Sequence, residues 1–223
     1  VVDTFSAFAP IGTDANAAQS VRGMLDPLAR LAKETGAAIP EEPILFFKST
    51  SALSGPNDDV VIPKNSTKTD WEVEFAIVIG KKASYVDVNE AYDYIAGYCL
   101  HNDYSEREFQ LERGGNWSKG KGCDTFAPLG PFLATKEEIE DVHNLSMWLD
   151  VNGQRLQTSN TNQLIFNVPQ VVSYISQFMT LLPGDVISTG TPHGVGLGLK
   201  PPVFFEGRGR GNLRDGWIRG KIG

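Results

Sequence analysis

A chain of 223 residues that is 41% hydrophobic, with 23 glycines and 13 prolines, is long enough for one large, turn-rich domain with a full core. Its formal charge of −7 and isoelectric point near 5.0 argue against nucleic acid or an anionic membrane as the main partner, since both call for basic patches. There is no apolar run of membrane-spanning length and no basic-then-apolar leader, and the two cysteines, Cys99 and Cys123, are too few for a disulfide framework, so the chain reads as a cytoplasmic acidic enzyme with buried thiols.

Residues 1–40 are alanine-rich, and Met24, Leu25, Leu28 and Leu31 follow helical spacing up to Gly36, which predicts a helical appendage on a main domain over 41–223. Ile44 to Phe47 and Val60 to Ile62 read as short strands on either side of the turn Ser54-Gly-Pro-Asn-Asp58. In the next strand, Asp70-Trp-Glu-Val-Glu-Phe-Ala-Ile-Val-Ile-Gly80, alternation puts Glu72 and Glu74 on one side and Trp71, Val73 and Phe75 on the other. Two carboxylates side by side repel unless a cation sits between them, although a solvated strand edge carries the same pattern.

Asn89 to Ile95 predicts a short helix, and Ala96 to Leu100 a strand running into His101-Asn102-Asp103. Ser105-x-x-Glu108 is a capping-box pattern that predicts a helix start, with Arg107 and Gln110 on one face. Residues 112–130 form a long glycine-rich loop around Lys119, Lys121 and Asp124, and loops of that length are usually functional. A second capping box at Thr135-x-x-Glu138, a type I′ hairpin turning at Asn152-Gly153, and a helix over Pro169 to Phe178 follow. A turn and strand over 182–190 lead into another glycine-rich loop, Thr189 to Gly196. Glu72, Glu74 and Asp103 thus form a carboxylate constellation, the nearby His101 being read as a structural or surface residue, and oxygen-only ligation selects a hard cation, Mg²⁺ first, with Mn²⁺ or Ca²⁺ also suited.

Several linked motifs in order carry a resemblance: Trp71-Glu-Val-Glu-Phe with the later Asn102-Asp103, Lys121-Gly-Cys-Asp-Thr-Phe-x-Pro-Leu-Gly-Pro131, and Pro183-Gly-Asp-Val-Ile-x-Thr-Gly-Thr-Pro-x-Gly-Val-Gly196. Over about residues 40–205 the chain resembles the fumarylacetoacetate hydrolase superfamily. The Lys48-Ser-Thr-Ser run and the Ser105-Glu-Arg-x-x-Gln110 segment look most like the bacterial branch acting on 2,4-diketo-3-deoxy sugar acids, often labelled ureidoglycolate lyase or hydroxyhepta-diene-dioate isomerase. The resemblance implies a mixed α+β, β-dominated fold, the family's C-terminal-domain β-roll with short helices, acting as a homodimer. It makes Glu72, Glu74 and Asp103 the Mg²⁺ ligands, and Lys121, Arg107 and Glu34 the catalytic groups. Gln110, Thr191 and Lys48 become contacts to a small 2-oxo or 2,4-dioxo acid. Such an acid chelates the ion through its carboxylate and keto oxygens, and the ion stabilises the enolate left when a neighbouring C–C or C–H bond breaks. Hydrolytic C–C cleavage is the first expectation, with decarboxylation or isomerisation as rivals and a catalytically silent oxo-acid binder as a third reading.

Two departures bear on that choice. Where the family places a water-activating histidine three residues before a glutamate, this chain has Leu31 before Glu34, and leucine cannot take a proton. After Glu206 the tail loses strand alternation, and back-translation in a shifted frame from Gly207 permits the Gly-Asp-Val-Val strand with which the family ends, which leads to the expectation of a reading-frame slip near that residue.

Overall fold

The computed structural model describes the backbone of Val2–Phe5 and residues 40–205. Eleven strands are assigned there: β1 (Val2–Phe5), β2 (Ile44–Phe47), β3 (Leu53–Ser54), β4 (Thr69–Asp70), β5 (Val73–Ile79), β6 (Ile95–Asn102), β7 (Ser105–Glu106), β8 (Ala127–Thr135), β9 (Ser146–Val151), β10 (Gln154–Asn160) and β11 (Val186–Ser188). Two α-helices join them, the single turn α1 (Ser118–Lys121) and α2 (Val168–Ser176). The chain is strand-dominated with short helices, the mixed β-dominated architecture expected. Among the described residues no helix is long and apolar enough to cross a membrane.

Seven strands form a mixed sheet in the order β2-β1-β11-β5-β6-β8-β3, with parallel pairs at β1–β11 and β3–β8 and antiparallel pairs elsewhere. At its centre β5 is buried along almost its whole length, because both of its faces are covered. One face belongs to the main core: Val73, Phe75, Ile77 and Ile79 join Tyr98, Leu100 and Ile187, and pack with Met147, Leu149 and Val151 of β9 and with Val168, Val171, Val172 and Ile175 of α2. Phe75 stacks on Tyr98 with ring centroids 5.1 Å apart. The other face carries a small apolar cluster of Ala76, Cys99 and Val186, with Val78 and Leu129 against it. Glu72, Glu74, His101 and Asp103 continue that second face by strand alternation.

The local signals act as expected at several points. Asn167 and Gln170 close a capping box on α2, Thr135 and Glu138 another on a 3₁₀ turn, and Val88–Tyr94 is 3₁₀ helix. Asn152 and Gly153 both have positive φ, 52° and 78°, as a type I′ turn between β9 and β10 requires.

Three expectations are corrected. Val60–Ile62 forms no strand, because the Val61 N–H is taken by Thr125 Oγ1 at 2.8 Å and only a single bridge remains. Ser105 caps no helix: it is buried in β7 opposite Asp70, and its hydroxyl donates to the Asp103 carbonyl. The turn that follows is a π-helical segment over Glu108–Glu112. The 112–130 stretch is not wholly loop, since it holds α1 and the start of β8. Leu31 and Glu34, the expected helix before Gly36, and the tail after Glu206 lie outside the described residues.

Candidate metal centre

The end of the β5–β6 pair builds the site. Beyond the last paired residues, the side chain of Asn102 accepts the Glu72 N–H at 2.9 Å and the Asp103 N–H donates to the Glu72 carbonyl at 2.8 Å, so the two strands remain locked one step further. That lock sets Asp103 beside Glu72 and Glu74. One oxygen from each of the three carboxylates lies within 4.8 Å of the other two, and all three residues are buried. Glu74 Oε2 is steadied by the Gly190 N–H at 2.9 Å.

Buried carboxylates demand positive charge, and three side chains supply it. Lys121, fully buried at the end of α1, donates to Glu72 Oε2 at 2.8 Å and to Asp103 Oδ2, and its ammonium sits 5.2 Å above the Phe46 ring. Lys48 directs its three protons to Asp103 Oδ1 and to the carbonyls of Lys121 and Tyr104, fastening the ligand strand to α1. Arg107 bridges Asp70 and Glu72, with Nη2 2.8 Å from Asp70 Oδ2 and 2.7 Å from Glu72 Oε1, and its Nη1 donates to Gln110 Oε1 at 3.1 Å. Burial alone would lower the Arg107 pKa, but the charges of Glu72 and Asp70 outweigh it and raise the value, so the guanidinium is permanently charged. Close approach of α1 depends on Gly120, where a Cβ would collide with the Glu106 carbonyl and the backbone of Gln110.

His101, opposite Glu74 in the β5–β6 register, is completely buried and bonds Ser188 Oγ through Nδ1. Burial, reinforced by Lys48 and Lys121 and only partly opposed by Asp103, pushes its pKa down to about 3, so the ring is neutral. It adds no charge to the cluster, in which, among the described residues, the carboxylates of Asp70, Glu72, Glu74 and Asp103 face the cations of Arg107, Lys48 and Lys121.

The donor set fits a divalent ion. Two oxygens on one ion can be no further apart than twice the metal–oxygen distance, about 4.2 Å for Mg²⁺ and about 5 Å for Ca²⁺. A triad within 4.8 Å lies inside the limit for Ca²⁺, while Mg²⁺ would draw the oxygens closer by up to about 0.6 Å, and the set is made of hard oxygens only.

The structure thus brings together Glu72, Glu74, Asp103, Lys121, Lys48, Arg107 and Gln110. Thr191 joins from the loop after β11, its hydroxyl donating to the Val73 carbonyl at 2.9 Å. Lys119 is exposed and bonds the Arg113 carbonyl, a surface residue as read from the sequence, and His193 is exposed in its loop. Sequence reasoning missed Asp70 and Gln157. Asp70 accepts Arg107 Nε at 2.8 Å and the N–H groups of Gly196 and Leu197 at 2.6 and 3.0 Å, and its signal was the carboxylate spacing Asp70, Glu72, Glu74. Gln157, 1% exposed on β10, had no local signal.

The curled, strand-dominated sheet with few short helices is the C-terminal fold of fumarylacetoacetate hydrolases. The family model described as fumarylacetoacetate (FAA) hydrolase C-terminal matches residues 11–216, and the chain belongs to that family. A protein of Burkholderia cenocepacia strain HI2424 is 56% identical over 176 residues, which are 78% of this chain and 62% of that one. The chain therefore spans less than two thirds of the length of that curated relative. Among solved structures, a fumarylacetoacetate hydrolase from Exiguobacterium antarcticum aligns with a TM-score of 0.76 at 30% identity, over 96% of this chain and 72% of that one. A 2-hydroxyhepta-2,4-diene-1,7-dioate isomerase from Mycobacterium marinum aligns with a TM-score of 0.67 at 42% identity, over 70% of this chain and 61% of that one. That isomerase name is one of the labels often carried by the branch that the Lys48 and Ser105 segments resemble.

Proposed function

We propose that this chain is the catalytic domain of a Mg²⁺-dependent enzyme that enolises a 2-oxo or 2,4-dioxo acid, with hydrolytic cleavage of a C–C bond as its reaction. The observation that carries the reading is the buried triad Glu72, Glu74 and Asp103, crowded by Lys121 and Arg107. Those three carboxylates would hold the ion, which when bound supplies a Lewis acid for the carboxylate and keto oxygens of the substrate. A divalent ion there would add positive charge beside Lys121 and Arg107, which favours an anionic oxo acid. Lys121 has its ammonium at the edge of the triad, where it can stabilise negative charge developing on the substrate oxygen. Arg107 is held rigid by Asp70 and Glu72 and orients Gln110, so this pair presents fixed donors rather than mobile ones. The Thr191 loop, tied back to Val73, lines the same end of β5.

A second reading is isomerisation of a 2-oxo diacid through the same enolate. The Mycobacterium marinum neighbour bears an isomerase name, and Leu31 stands where hydrolysis needs a base for water. The Burkholderia relative is named a hydrolase only provisionally, which supports the first reading no more than generally. The homodimer expected by resemblance is part of the proposal, and light scattering on the purified chain tests it.

The deciding experiment incubates the protein with Mg²⁺ and a panel of 2,4-dioxo acids and unsaturated 2-oxo diacids, with Glu74→Ala as control. Two carboxylic products identify the hydrolase, and a shifted double bond with unchanged mass identifies the isomerase. Tight oxalate binding without turnover of any substrate would leave an oxo-acid binder in place of an enzyme.

A further inference from the structure

Val73 separates the two glutamates, and both of its backbone polar groups are held by side chains from distant parts of the chain. Its N–H donates to Gln157 Oε1 at 2.9 Å, and its carbonyl accepts the Thr191 hydroxyl at 2.9 Å. Gln157 Nε2 closes the ring by donating to Thr191 Oγ1 at 2.9 Å, and also donates to the Pro192 carbonyl at 2.9 Å. A hydroxyl has a single proton, and that of Thr191 goes to Val73, so Gln157 must enter as the donor and its amide has only one orientation that satisfies all four bonds.

The ring stands where a strand should be. β11 pairs with β5 only as far as Ser188 opposite Ala76. Beyond that point Thr189 donates its N–H and its hydroxyl to the Phe75 carbonyl at 3.0 and 2.8 Å, and Gly190 donates to Glu74. At Val73 the amide of Gln157 takes the place of a neighbouring backbone, and it comes from the separate hairpin β9–β10. The peptide units on both sides of Val73 set the directions in which Glu72 and Glu74 project. Any rotation there changes the spacing of two of the three carboxylates at once.

We infer that Gln157 is a positioning residue that fixes the separation of Glu72 and Glu74 for a divalent ion and, through the same amide, holds the Thr191 loop against the site. The inference rests on the metal-dependent reading above. Gln157 lies behind the ligands, at the backbone, and acts through Val73 and Thr191. Its loss therefore weakens ion binding out of proportion to its effect on folding.

The test is a titration with Mn²⁺, following free ion by electron paramagnetic resonance, alongside melting temperatures measured without metal. Gln157→Met removes both halves of the amide, and Gln157→Asn keeps it but shortens the arm by one methylene. Thr191→Val leaves the Gln157–Val73 bond in place. Leu149→Ala, in the core of the same hairpin, shows what destabilisation alone does. The expected result is an Mn²⁺ Kd about tenfold weaker in Gln157→Met and several-fold weaker in Gln157→Asn. Thr191→Val, which of the two clamps on Val73 removes only that on the carbonyl, should weaken binding less than Gln157→Met does, and Leu149→Ala should stay within about twofold of wild type even where it melts earlier. If Gln157→Met does not fold, the Gln157→Asn and Leu149→Ala pair decides the matter. Wild-type Mn²⁺ affinity in the folded Gln157 variants, or weakening matched by Leu149→Ala at equal loss of melting temperature, overturns the positioning role and leaves the metal site standing. Failure of the unaltered chain to bind Mn²⁺ overturns the metal-dependent reading and the inference with it.

Discussion

The ammonium of Lys121 lies 2.8 Å from Glu72 Oε2 and also donates to Asp103, so a lysine occupies the edge of the same carboxylate group that is shaped for a divalent ion. An ion held there would act on the same oxygens as the ammonium, so each would change what the other contributes.

That relationship gives the first expected outcome. Lys121→Met keeps the length of the side chain but leaves Glu72 and Asp103 with less compensation, and losing one partner of a buried ion pair costs about 3–5 kcal/mol. The variant should melt well below wild type without metal, and a saturating divalent ion should raise its melting temperature by more than it raises that of wild type. Calorimetric scans with and without Mg²⁺ measure both quantities; equal shifts in the two proteins would contradict the shared-site description.

Asp70 supports Arg107 and the loop at Gly196 and Leu197 together. In Asp70→Asn one of the two oxygens becomes an NH₂ group, so either the Gly196 or the Leu197 N–H loses its acceptor, and the guanidinium loses one of its two counter-charges. A destabilisation of about 3 kcal/mol is expected, and urea unfolding at neutral pH measures it. A change below about 0.5 kcal/mol, typical of surface substitutions, would mean that Glu72 alone satisfies Arg107.

Gly120→Ala tests the seating of α1. The added methyl group meets the Glu106 carbonyl and the Gln110 backbone, neither of which can move as a side-chain end can. The variant should either fail to accumulate as folded protein or carry a displaced Lys121. Soluble yield and a Mn²⁺ titration distinguish these outcomes from an unaffected protein, which would show that α1 has room to shift.

Thiol chemistry follows from burial. Burial pushes the Cys99 thiol up to about 12 and that of Cys123 up to about 11, both from an ordinary value of 9.0. At pH 8 the folded protein therefore holds almost no thiolate, and alkylation should be far slower than in urea, with the half-exposed Cys123 reacting before the buried Cys99. The unfolded thiols ionise first as pH rises, so this pair contributes a loss of stability that begins near pH 9 and grows towards pH 11–12. Mass-resolved alkylation rates at pH 8 and melting between pH 8 and 10 provide the check.

What could be read from the sequence divides along the range of the interactions. Glu72, Glu74 and Asp103 were legible because strand alternation and a polar Asn-Asp pair at a strand end are local patterns, and the paired strands Val73–Ile79 and Ile95–Asn102 follow from apolar runs. Ser105 misled because a capping box is also local: the pattern was present, but pairing of Ser105 with Asp70 prevailed. The order of the seven strands was beyond local reasoning, as was the arrival of Gln157 at Val73 from 84 residues away. Asp70 was visible as a third acidic residue in the alternation, yet its attachment to Arg107 depends on the β4–β7 pairing.

The alternation of Asp70, Glu72 and Glu74 has a consequence for calorimetry as well. The cations that neutralise these groups, Lys48, Arg107 and Lys121, arrive from elsewhere in the chain, so a denatured molecule keeps three acidic side chains within five consecutive residues without them. Such a stretch retains some attraction for a divalent ion after the fold is gone, and affinity for the denatured state subtracts from ligand-induced stabilisation. Melting shifts on adding cation will therefore understate how tightly the native protein holds it, and direct binding measurements should give the larger number.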